Sequence, residues 1–158
     1  MKLINEHLSF HREKEGDKLE NLGIGRKTLI INWLKDMNID NYIIKDDFSI
    51  NVYYNVQLSN KHLNGKLPDF IQFGNVDGAF RIDGNNLTTL KGCARYVGAQ
   101  FDCEENNLTT LDYAPVHIGG DVWCRGNNLP TAVINNYLRK ISHKKKCHSD
   151  YNSTGYSQ

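Results

Sequence analysis

The residues with the chemistry to act on a ligand fall in three places along this chain of 158 residues. Gly23-Ile24-Gly25-Arg26-Lys27-Thr28 puts backbone amides and two cations at the start of an expected helix. A phosphate loop needs GxxxxGK followed by Ser or Thr, whereas here Glu20 holds the first-glycine position and Arg26 follows Gly25. Nucleotide hydrolysis is therefore not expected. The turn reads either as a flexible lead into a helix or as a site where Arg26 and Lys27, with the helix N-terminus, hold a small anion. His143, Cys147 and His148 are metal-ligand types without a partner pair at zinc spacing, so no metal is expected. Cys103 and Cys124 hold equivalent positions near enough to oxidise, but core thiols in a reducing compartment are expected to fill space. No Ser/His/Asp or Cys/His set can be argued from spacing, and the expectation is a non-enzyme without cofactor.

The elements that position these residues come from a repeat. Asn85-Asn86-Leu87-Thr88-Thr89-Leu90 returns 21 residues later as Asn106-Asn107-Leu108-Thr109-Thr110-Leu111, and Asn127-Asn128-Leu129 follows after another 21. A degenerate copy, Leu58-Ser59-Asn60-Lys61-His62-Leu63, lies 24 residues before the first. Aligned, the copies read Val56-x-Leu58, Phe80-x-Ile82, Phe101-x-Cys103 and Val122-x-Cys124, followed by Lys61, Asn85, Asn106 or Asn127 and then by a leucine. Alternating apolar residues predict a short strand with one face inward, and the recurring asparagine predicts a ladder of side-chain to backbone hydrogen bonds. Leu90, Leu111, Val97 and Ile118 supply further inward residues. Gly78, Gly98, Gly119 and Gly120 fall where the chain turns back, which predicts positive φ there.

These residues resemble the short leucine-rich repeats of bacterial and bacteriophage proteins, in which a glycine-rich turn precedes an aromatic-x-Cys strand and an NNLTSL run. The match is clearest over Gly98 to Leu111 and Gly119 to Leu129, and it departs at the longer first repeat and at Pro130-Thr131. The resemblance implies an α+β solenoid with about four parallel strands, phage origin and partner binding, and no particular activity.

Both ends of such a stack need covers. Arg26 to Met37 reads as an amphipathic helix with Leu29, Ile30, Trp33 and Leu34 on one side. Tyr42 to Ile44 and Phe48 to Tyr54 read as strands around a Lys45-Asp46-Asp47 turn. At the other end Pro130 opens a helix with Val133, Ile134, Tyr137, Leu138 and Ile141 in a stripe. The expected organisation is an N-terminal cap over 1–55, the repeats over 56–129, a capping helix over 130–142 and a disordered tail over 143–158.

Composition narrows the partners. Nineteen Lys+Arg against 18 Asp+Glu leave a net charge of +1, too little for a global field toward nucleic acid or membrane. The N-terminus lacks an apolar signal core and no stretch reaches spanning length, so a cytoplasmic chain is expected, in a host cell if phage-encoded. What remains legible is the outward face of the strands, where equivalent positions lie about 4.8 Å apart. One row reads Gln57, Arg81, Asp102 and Trp123; the next reads Ser59, Asp83, Glu104 and Arg125. Arg81 beside Asp102 and Glu104 beside Arg125 are expected ion pairs, and Asp83 beside Glu104 an expected repulsion. Trp123 either anchors a partner or packs beneath the C-terminal helix. Arg81, Asp83, Asp102, Glu104, Trp123 and Arg125 form the expected face for a basic host protein. A small-anion sponge at Arg26 and Lys27, across a homodimer or not, and a self-assembling virion component are the competing expectations.

Overall fold

Strands of two to four residues cannot bury enough surface singly, so the chain gains a core only by repeating the same step. The computed structural model describes residues 25–141 and 146–150, so expectations that fall on 1–24, 142–145 and 151–158 lie outside the described residues. Over the described residues the fold is α+β, with two helices and two sheets in which parallel pairing dominates. Helix α1 (Arg26–Asp36) leads into an antiparallel pair, β1 (Tyr42–Ile44) and β2 (Ile50–Val52). From there the chain alternates between sheets. The first sheet has the order β1-β2-β4-β6-β8, with β4 at Phe73–Val76, β6 at Tyr96–Val97 and β8 at His117–Ile118. The second has β3 (Val56–Gln57), β5 (Phe80–Arg81), β7 (Phe101–Asp102), β9 (Val122–Trp123) and β10 (Cys147–His148), all parallel. Each repeat thus gives one strand to each sheet, and the residues between them pack inside.

The asparagine ladder forms. Asn106 Nδ2 donates to the carbonyls of Ile82, Cys103 and Glu104, each at 3.1 Å. Its Oδ1 accepts from the amides of Asn85 and Leu87 at 3.0 and 2.9 Å. Asn85 likewise joins Leu58 O at 2.7 Å to the Lys61 amide at 2.8 Å, and Asn127 joins Cys103 O at 2.9 Å to the Leu108 amide at 3.0 Å. Each side chain therefore satisfies backbone groups of its own bend and of a neighbouring repeat. Such groups, left buried without partners, would cost about 1–3 kcal/mol each. Between the sheets a file of rings runs from the front: Trp33, Phe73, Phe80 and Phe101, with successive centroids 6.3, 5.2 and 6.1 Å apart. Ile30, Trp33 and Leu34 of α1 are buried against it, while Leu29 stays half-exposed.

At the back, α2 (Thr131–Ile141) buries Ile134 and Tyr137, and the Tyr137 hydroxyl donates to Pro115 O at 2.6 Å. This helix takes the place in the sequence where earlier repeats send a strand to the first sheet. The chain then returns to the second sheet: the expected disorder of the tail is corrected over residues 146–150, where β10 pairs with β9. The glycine expectation is also corrected. Gly78, Gly98, Gly119 and Gly120 do not have positive φ. A Cβ at Gly98 would instead strike the Asp77 carbonyl, and one at Gly119 the Gly98 carbonyl, so the constraint is close backbone approach between repeats.

Replacing Asn106 by Ala orphans buried backbone groups in two repeats and is expected to destabilise by at least about 3 kcal/mol. Asn127→Ala, at a half-exposed rung, is expected to cost less, and urea unfolding of the two variants checks the order.

Candidate functional site

Parallel pairing fixes what stands beside what on the outer face of the second sheet. The register Gln57↔Arg81, Arg81↔Asp102, Asp102↔Trp123 and Trp123↔His148 lays the expected row side by side and extends it by one residue. Ser59, Asp83, Glu104 and Arg125 follow two positions along each strand. The expected ion pairs do not form: among the described residues neither Arg81–Asp102 nor Glu104–Arg125 closes to 4 Å. Arg125 instead lies over the Trp123 ring, 5.8 Å from its centroid, and Asp102 Oδ1 accepts from the Glu104 amide at 3.0 Å.

Trp123 does not pack beneath the C-terminal helix. Its ring stacks on His148 of β10, with centroids 3.8 Å apart and planes 14° apart. His148 Nε2 in turn lies 3.2 Å from Asp121 Oδ2, and Asp150 Oδ2 accepts from the Gly126 amide at 2.9 Å. The last strand therefore brings its own contribution to the face. Sequence reasoning missed it because α2 stretches the spacing from Val122 to Cys147 to 25 residues, off the repeat of 21.

The carboxylates are the least relaxed part of the face. Asp83 is held by the Ser59 hydroxyl at 2.5 Å. Asp102, half-buried beside Asp83, has its pKa pushed above the ordinary carboxylate range, first by desolvation and then by that neighbour's charge, though the Glu104 amide offsets part of the rise. Glu104 is raised by desolvation and by Asp102, and its Oε1 is buried with no hydrogen-bond partner among the described residues. The repulsion expected between Asp83 and Glu104 thus runs through Asp102. No group of three or more His, Cys, Asp or Glu among the described residues could hold a metal.

The expected anion residues stand apart from this face. Arg26 opens α1 with its guanidinium over Phe48, 5.0 Å from the ring centroid, and Lys27 is exposed beside it. The N-cap, Gly25, offers no side chain.

A second surface was missed altogether. On the outer side of the first sheet lies an open groove of about 810 Å³ lined by Lys45, Asn51, Asn75, Arg95, Tyr96, Tyr113 and His117 among others. Tyr96 and Tyr113 are 43% and 63% exposed, and the Tyr96 and His117 rings lie 6.4 Å apart. Asp47 at its edge accepts from Ser49 Oγ at 2.6 Å, which lowers its pKa. The signal was available as the outward residues of a second strand per repeat, which a single-sheet reading leaves unassigned.

The sign of the Asp102 and Glu104 shifts is testable. Carboxylates with raised folded-state pKa bind protons more tightly folded than unfolded, so their strain is full at neutral pH and fades as pH falls through the raised values. Asp102→Asn keeps the acceptor for the Glu104 amide and is expected to stabilise at pH 7 by under about 1 kcal/mol, given solvent screening. That gain is expected to vanish below about pH 4, near the unfolded carboxylate value, which paired thermal melts across pH would show.

No protein-family model matches the chain, and no curated protein or solved structure matches it.

Proposed function

We propose that the chain is a non-enzymatic leucine-rich-repeat solenoid that binds a protein partner carrying a basic patch through the outer face of the second sheet. The repeat of 21 residues, the asparagine ladder and the in-step parallel strands that each repeat gives to both sheets support the solenoid reading. One observation carries the functional reading: Asp102 and Glu104 are kept beside one another and next to Asp83, partly desolvated, at a cost in stability. A face needed only for solubility gains nothing from that arrangement, whereas a cationic partner would relieve it. Trp123, with Arg125 and His148 against its ring, gives this face a rigid aromatic centre. The resemblance to phage repeat proteins makes a host protein in the cytoplasm the proposed partner and accessory modulation the proposed role. Among the described residues no helix is long and apolar enough to cross a membrane.

The tyrosine groove favours a second reading, in which the partner sits on the first sheet. Exposed Tyr96 and Tyr113 with Asn75 and Arg95 beside them have the composition of adaptable recognition surfaces.

Native mass spectrometry of the tagged chain recovered from its host cells separates the two. A bound protein mass reduced at least about tenfold by Asp83→Lys, and kept by Tyr96→Ala with Tyr113→Ala, is expected. Loss with the tyrosine variants alone moves the partner to the groove. Retention in every variant, or no protein mass, overturns the proposal.

A further inference from the structure

Two cysteines meet on the inner side of the second sheet at its β9–β10 end. Cys124, the residue after β9, and Cys147, in β10, have their sulfurs 3.0 Å apart with no bond between them. Both residues are buried, at 2% and 4% exposure. Among the described residues Cys93 and Cys103 make no comparable sulfur contact, so the neighbour of Cys124 is the strand after it. The partner expected from sequence, Cys103, is one repeat on the wrong side.

We propose that Cys124 and Cys147 form a reversible dithiol–disulfide site that fastens β10 to the sheet. Three observations converge on it. The sulfurs need to close by only about 1 Å to reach the bond length of about 2.05 Å. The strand carrying Cys147 is two residues long and, among the described residues, the last of its sheet, joined to β9 by Val122 N to Lys146 O at 3.0 Å and Cys124 N to His148 O at 2.9 Å. Such an edge opens locally far more readily than the core and so admits a small oxidant to otherwise buried thiols. Finally, the two thiols share a hydrogen bond across that contact, and with Cys124 as its donor the Cys147 thiol is the one lowered and the readier nucleophile.

The chemistry balances with a peroxide as oxidant. The Cys147 thiolate attacks hydrogen peroxide, giving a sulfenic acid and, after protonation of the hydroxide released, one water. The Cys124 thiol then attacks that sulfur, forming the S–S bond and releasing a second water. A small thiol returns the pair to the reduced state by exchange. The consequence is local. His148 stacks on Trp123 and Asp150 accepts from Gly126, so the bond would hold in place the part of the outer face that β10 supplies. This holds whichever surface receives a partner.

The test uses the full chain, treated with hydrogen peroxide and then with dithiothreitol. The expected result is a loss of two hydrogens in the intact mass and a non-reducing digest that joins the Cys124 and Cys147 peptides. Cys93 and Cys103 should remain open to alkylation after denaturation, and Cys103→Ala should leave the link unchanged. Amide exchange over 146–150 is expected to slow at least about tenfold on oxidation and to recover on reduction. A Cys103–Cys124 link, a link between chains, an overoxidised Cys147 with no internal bond, or unchanged exchange over 146–150 would overturn the proposal.

Discussion

Everything in this molecule depends on one polar side chain repeated at one place. Where the strands of the second sheet end and the backbone bends, backbone bonds between repeats continue at Gly84, Glu105, Asn107 and Asn128, but other amides and carbonyls of the bend turn inward without a backbone partner. Asn85, Asn106 and Asn127 reach those groups, each with a carbonyl oxygen turned toward amides of one repeat and an amide nitrogen turned toward carbonyls of two. Asn85 and Asn106 are buried, which makes the ladder strong because no water competes for its partners. A one-residue slip would break these bonds and turn the apolar row outward, so the register is fixed twice.

From that register the outer face follows without further adjustment. Arg81, Asp102, Trp123 and His148 are neighbours because their strands are in step. How they interact is a separate matter, decided by side-chain reach and desolvation: Arg125 finds the indole, and Asp102 finds an amide, where charge alone would have paired Arg125 with Glu104 and Asp102 with Arg81. A face with partly buried carboxylates and a stacked indole stores unfavourable charge on a rigid support.

What the sequence made legible was whatever obeys the period. Phe80 and Phe101, the leucines after each asparagine, the two flanking helices and the β1–β2 turn all follow from spacing and apolar alternation. Features set by contacts across the period were hidden. Gly98 and Gly119 are required by the carbonyl of the preceding repeat, not by their own φ, and no local pattern distinguishes the two causes. Cys147 and His148 lie in register with Val122 and Trp123, but α2 intervenes and shifts their spacing, so the strand looked like polar tail. Tyr96 lies on the other strand of its repeat and Tyr113 in the turn before the next such strand, and the asparagine-leucine pattern marks neither, so the groove they line has no signature in the repeat.

The central claim is that asparagine side chains pair the bend amides that the backbone bonds between repeats leave over. The amides of Asn85, Leu87 and Leu108 lie outside the strands and are bonded to asparagine Oδ1 atoms at 3.0, 2.9 and 3.0 Å. Residue-resolved amide exchange under native conditions is the most direct measurement. The account predicts that these three amides exchange as slowly as those of Phe80 and Phe101, opening only with the fold as a whole. Exchange at the rate of exposed loop amides, with Phe80 and Phe101 still protected, would contradict it.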